Sequence, residues 1–72
     1  MYYVAVFRAR TQTLTFASLL RSYGANVEII NTPRNLNISC GISARFSANF
    51  LPLAESIISR RTFDTFAGFY NN

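Results

Sequence analysis

Apolar residues open the chain as a dense run and then continue as a helical stripe. Residues 2–7 combine aromatic and β-branched side chains, which favours a β-strand that is covered on at least one face. The next apolar positions recur at i, i+3, i+4 and i+7, the spacing of one helix face. They are Phe16, Leu19, Leu20 and Tyr23. The pattern predicts a helix over residues 12–23, capped by Thr11 and ended by Gly24.

The second half of the chain repeats this alternation. Residues 26–31 and 42–46 predict two strands, separated by a polar connection over residues 32–41. A second stripe of helical spacing predicts a helix capped by Asn49. Its members are Phe50, Leu53, Ala54, Ile57 and Ile58. Residues 62–70 are rich in aromatic residues and threonine and predict a final strand, with an irregularity at Gly68.

The order strand, helix, strand, strand, helix, strand predicts an α+β protein of the ferredoxin-like class, in which two helices cover one face of an antiparallel sheet. The length of 72 residues fits one domain over residues 1–72. The second sheet face would be open, and we expect Tyr3, Ala5 and Phe7 to lie on it. An open apolar face usually contacts a partner, and the simplest partner is a second copy of the chain.

Composition excludes several kinds of site. The chain has one cysteine and no histidine, so an internal disulfide, a zinc site and a histidine-assisted nucleophile are excluded within one chain, and no cofactor is expected. The first apolar run is too short for a signal peptide, and no run approaches the roughly 18 apolar residues of a membrane helix. We therefore expect a cytoplasmic protein. The acidic residues Glu28, Glu55 and Asp64 are dispersed, so we expect a carrier or binding protein rather than an enzyme.

All seven cations are arginine and the net charge is +4, but the arginines are spread along the chain. A basic surface is the ordinary interpretation, and an anionic ligand or partner is the functional one. The same element order with aromatic residues on an open face is also found in RNA-recognition domains. The third strand reads C-G-I-S-A-R-F-S and lacks the first stacking aromatic residue of those domains, so nucleic acid is not the expected partner.

The polar connection before the third strand contains the candidate chemistry. Its thiol, Cys40, is followed by Gly41, and Arg34 precedes it on the same connection. Nearby positive charge and exposed N–H groups lower the pKa of a cysteine, and Arg45 could add charge from the next strand. Such a thiolate could hold sulfur or selenium as a persulfide-type anion. Because an unpaired cysteine often only packs, an interaction or dimerisation module with an inert Cys40 is the alternative.

The segment T-P-R-N-L-N-I-S-C-G-I-S-A-R-F, residues 32–46, resembles the hallmark segment of the selenium/sulfur carrier protein-like family of small bacterial domains. The stretches Y-V-A-V-F-R-A-R-T-Q-T-L and L-L-R-S-Y-G also fit, so the resemblance covers residues 3–47. It implies a carrier that receives sulfur or selenium on Cys40 from a donor protein and passes it to an acceptor protein. The residues that would shape the loop are Thr32, Pro33, Arg34, Ser39 and Gly41.

Overall fold

The computed structural model describes residues 1–36 and 41–72. The main elements of these residues are β1 (Tyr2–Phe7), α1 (Arg10–Ser22), β2 (Glu28–Asn31), β3 (Ile42–Ser47), α2 (Leu51–Arg60) and β4 (Phe66–Asn71). Within the described part of the chain the strands form one sheet in the spatial order β2-β3-β1-β4, and every neighbouring pair is antiparallel. The predicted ferredoxin-like α+β class is confirmed.

The first turn of α1 is fixed by tertiary contacts. The helix starts at Arg10 and has no side-chain cap, so the predicted cap at Thr11 is wrong, since Thr11 lies inside the helix. Instead, Gln12 Oε1 accepts hydrogen bonds from Thr65 N at 3.2 Å and Thr65 Oγ1 at 2.6 Å. Thr65 Oγ1 also accepts from the backbone N–H of Ala9 at 3.2 Å. These bonds tie the start of α1 to the connection that precedes β4.

The end of α1 and the first turn of α2 agree more closely with what the sequence predicts. Gly24 has φ +93°, which confirms the left-handed residue expected after α1. Pro52 lies in the first turn of α2, where its missing N–H is tolerated. The predicted cap at Asn49 is wrong, because the N-cap residue of α2 is Phe50, which makes no side-chain capping bond. Ser47 caps the preceding 3₁₀ turn over Ala48–Phe50, where its Oγ accepts from Asn49 N at 3.3 Å.

Strand β1 corrects the predicted assignment of the sheet faces. Ala5 and Phe7 are fully buried in the core between sheet and helices, and Tyr3 packs against that core. Because side chains alternate along a strand, Tyr2 and its alternate neighbours point to the other face. The expectation that Tyr3, Ala5 and Phe7 form the open face is therefore wrong. Both faces of β1 carry apolar side chains, so the alternation could not show which face the helices cover.

Phenylalanine rings form the centre of the core. Neighbouring ring centroids in this cluster lie 4.9–6.3 Å apart. The rings belong to Phe7, Phe16, Phe46, Phe63, Phe66 and Phe69. β4 starts at Phe66 rather than residue 62, because Phe66 N donates to Phe63 O at 3.0 Å and closes a turn. The predicted irregularity at Gly68 is confirmed by a register shift beside it.

Candidate functional site at the β2–β3 connection

Main-chain hydrogen bonding closes the β2–β3 connection at its base. Thr32 N donates to Gly41 O at 3.1 Å, one step beyond the Asn31–Ile42 pair that ends the strand ladder. The connection therefore leaves and rejoins the sheet at adjacent points. Residues 37–40, which include Ser39 and Cys40, lie outside the described residues.

A hydroxyl pair supports the same base. Ser43, the second residue of β3, is fully buried, and its Oγ lies 2.8 Å from Thr32 Oγ1. This hydrogen bond joins the start of the connection to the strand that follows it, and it satisfies a buried hydroxyl that would otherwise be costly. Ser43 was not among the predicted site residues. The available signal was its position on the side of β3 that carries the polar residues, beside Arg45 and Ser47.

The first half of the connection turns immediately after the strand. Pro33 O accepts from Leu36 N at 3.2 Å, and residues Arg34–Leu36 form a 3₁₀ turn. Arg34 is exposed, and Pro33 and Thr32 are partly buried. Gly41, at the far end, is exposed and its backbone is not left-handed. A Cβ on Gly41 would contact nothing within 4 Å, so the described structure does not require glycine at this position.

Arg45 lies away from this connection. It is four residues beyond Gly41 on β3, which corresponds to about 13 Å at the rise of a strand. Its guanidinium forms an ion pair with Glu28, Nη1 to Oε1 at 2.9 Å, and its Nε donates to Asn72 Oδ1 at 2.8 Å. The same group stacks 3.8 Å from the centroid of the Tyr2 ring. The structure thus places Arg45 with partners of its own at the opposite end of the sheet.

Topology brings other arginines to the end of the sheet that carries the connection. β1 and β2 are both antiparallel to β3, so the ends of β1 and β2 point the same way. Arg8 follows β1 and Arg10 starts α1, so both share this end with Arg34, and all three are exposed. None of the three forms an ion pair with a described residue. We call these residues the arginine end.

The N-terminus of α1 adds to the positive potential there. Its first turn contains no acidic residue and begins with Arg10, and the carboxylate that contacts this turn is that of Asp64, whose Oδ1 accepts from Gln12 Nε2 at 2.6 Å. Sequence reasoning missed Arg8 and Arg10 because they are far from Cys40 along the chain. The strand order was the signal that could have placed them.

Two tyrosine rings on the sheet face opposite the helices, those of Tyr2 and Tyr70, contact other groups of the protein. Tyr2 is covered by Arg45. The Tyr70 ring lies across Gly68, 3.3 Å from where a Cβ would stand, and Tyr70 Oη donates to Ala67 O at 3.0 Å. Each ring thus has one side in contact with the protein itself, and these contacts give no support to an RNA-binding surface.

Neither α1 nor α2, nor any other helix in the described ranges, has the length and apolar character to cross a bilayer.

The fold and the cysteine-bearing connection define a ferredoxin-like α+β protein whose candidate chemistry depends on one thiol. A family model described as "Putative Se/S carrier protein-like" matches residues 2–70, and the chain belongs to this family. The match confirms the resemblance of the T-P-R…S-C-G segment and extends beyond residue 47 to include α2 and most of β4. No curated protein and no solved structure matches the chain.

Proposed function

We propose that this protein carries sulfur or selenium between proteins and that Cys40 is the acceptor thiol. The observation that carries the proposal is the family match over residues 2–70. It is supported by the sequence, which offers one thiol in the whole chain. A carrier needs one nucleophile and surfaces for its donor and acceptor, and it needs no acid–base machinery of its own.

The transfer step is an exchange at sulfur. The Cys40 thiolate attacks the outer sulfur of a donor persulfide, R–S–SH, so that a new S–S bond forms on Cys40 and the donor leaves as R–S⁻. Release to a thiol reductant returns the Cys40 thiol, with two reductant thiols becoming one disulfide and the carried atom leaving as hydrogen sulfide. Selenium would follow the same balance. These exchanges need reduced thiols, and we therefore place the protein in the cytoplasm.

The arginine end supports the chemistry electrostatically. Arg34 belongs to the same connection as Cys40, and Arg8 and Arg10 share its end of the sheet. Positive charge and the N-terminus of α1 favour a thiolate over a thiol and a persulfide anion over its neutral form. We therefore expect the pKa of Cys40 to lie below the value of about 8.5 that is typical of a free cysteine.

The pH dependence of alkylation by iodoacetamide tests the thiolate. The rate for the folded protein should level off by about pH 8, and Arg34→Ala should move the midpoint upward because a favourable charge is lost. Arg45→Ala is the matched control, since it removes one arginine at the opposite end of the sheet. A rate that still rises past about pH 9, or a folded protein that is not labelled, would support the inert interaction module instead.

Transfer itself is tested by mixing the protein with a cysteine desulfurase that carries a persulfide. The expected product is a protein heavier by one sulfur atom in mass spectrometry, and reduction should restore the original mass. Cys40→Ser should gain no sulfur. A serine variant that still gains labile sulfur, or a native protein that gains none, contradicts the proposed role of Cys40.

A further inference from the structure

A groove between the two helices is the feature of interest on the helical side of the protein. Its volume is about 320 Å³. The apolar side chains in its wall are those of Leu19, Tyr23, Leu53 and Ile57. Ile57 is buried, Leu19 and Leu53 are partly buried, and Tyr23 is 57% exposed. The groove can therefore receive one apolar side chain without rearrangement of the core.

Positive charge borders this apolar groove. Together with Ser56, Arg60 and Arg61 at the end of α2 complete its wall, and both arginines are exposed. Neither forms an ion pair with a described residue, and no carboxylate belongs to the wall. The C-terminal end of a helix dipole is equivalent to about half a negative charge, so the two arginines leave an excess of more than one positive charge.

We propose that this groove docks a short acidic segment of a partner protein, which inserts one apolar side chain between α1 and α2 and places carboxylates against Arg60 and Arg61. A second copy of the chain is a poor occupant, because each copy has a net charge of +4 and only three acidic residues. The apolar part of the wall favours an apolar side chain over a nucleic-acid backbone. The docking does not depend on Cys40, so it can hold or fail independently of the carrier proposal.

Binding of a defined peptide tests the groove. The probe is a fluorescein-labelled Asp-Glu-Leu-Phe-Glu-Asp peptide, and the comparison peptide replaces Leu and Phe with Ser at the same charge. Anisotropy titrations should show saturable binding of the apolar peptide and at least about tenfold weaker binding of the comparison peptide. Amide chemical shifts of the native protein should change along the facing sides of α1 and α2.

Variants that remove charge distinguish binding in the groove from nonspecific electrostatic attraction of the acidic peptide. Arg60→Gln/Arg61→Gln should weaken the apolar peptide by about tenfold or more, whereas Arg8→Gln/Arg10→Gln, which removes the same charge elsewhere, should not. Cys40→Ser should bind like the native protein. Equal weakening by both double variants, no binding up to about 1 mM, or preferential displacement by a single-stranded oligonucleotide would each overturn the proposal.

Discussion

Replacing Phe16 with alanine is expected to remove much of the protein's stability. Phe16 is fully buried on the sheet-facing side of α1. Its ring centroid lies 5.3 Å from that of Phe7, 6.1 Å from Phe46, 6.2 Å from Phe63 and 6.3 Å from Phe69. These neighbours come from β1, β3, β4 and the segment before β4, so a smaller side chain at this position loosens several elements together.

The expected loss is large compared with the whole stability. Truncating a buried phenylalanine to alanine costs about 3–5 kcal/mol. At roughly 0.05–0.15 kcal/mol per residue, a chain of this length has a free energy of unfolding of about 4–11 kcal/mol. For a domain of this size each kcal/mol lowers the melting temperature by roughly 4–8 °C, so the variant should melt at least about 12 °C lower or fail to fold.

Thermal and urea unfolding followed by circular dichroism measure this loss. Leu14→Ala is the matched control, because it truncates a leucine on the same helix that is 47% exposed, and it should change stability by less than about 0.5 kcal/mol. Phe16→Leu keeps most of the volume and should lose roughly 1–2 kcal/mol, which gives a measurable variant if alanine does not fold. An alanine variant that melts within about 3 °C of the native protein would refute the assigned core.

Two further predictions concern the sheet. Ser43→Ala and Thr32→Val should each cost about 1 kcal/mol in urea unfolding, and the double variant should lose less than the sum because both remove one hydrogen bond; strictly additive losses would contradict the hydroxyl pair. Gly68→Ala should cost about 1–3 kcal/mol, since Gly68 has φ +128° and its Cβ would press on Tyr70 at 3.3 Å. Gly41→Ala, where neither constraint applies, should be neutral or slightly stabilising, and equal losses at the two glycines would argue against this backbone assignment.

The order of elements was predictable because its signals are local. The helical stripes place Phe16, Leu20 and Ile57 in the core, and Gly24 ends α1 as expected. Each signal depends on residues a few positions apart. The order of elements then leaves only a few possible strand arrangements in the sheet. The loop with Cys40 was conspicuous for the same reason, since its polar and charged residues are adjacent in the chain.

Other features depend on contacts between distant residues, and the sequence could not show them. The start of α1 is fixed by Gln12 and Thr65, which lie on different elements. The hydrophobic pattern could not show which face of β1 the helices cover, because both sets of alternating positions along that strand are apolar. The sequence suggested that Arg45 could contribute charge to the loop with Cys40, but its guanidinium forms an ion pair with Glu28 on the neighbouring strand.

The positions of the arginines give the net charge of +4 a structural meaning that composition alone did not. At one end of the sheet the charge of Arg45 is balanced by Glu28, so that end attracts anions weakly. At the other end Arg8, Arg10 and Arg34 have no carboxylate partner among the described residues, and the N-terminus of α1 lies there too, with the Asp64 carboxylate bound to Gln12 at 2.6 Å. Because unpaired charges direct the approach of a charged partner, these three arginines place part of the positive excess where the carrier proposal requires an anionic group to arrive and be held. A uniformly basic surface would have made the same composition uninformative about the site.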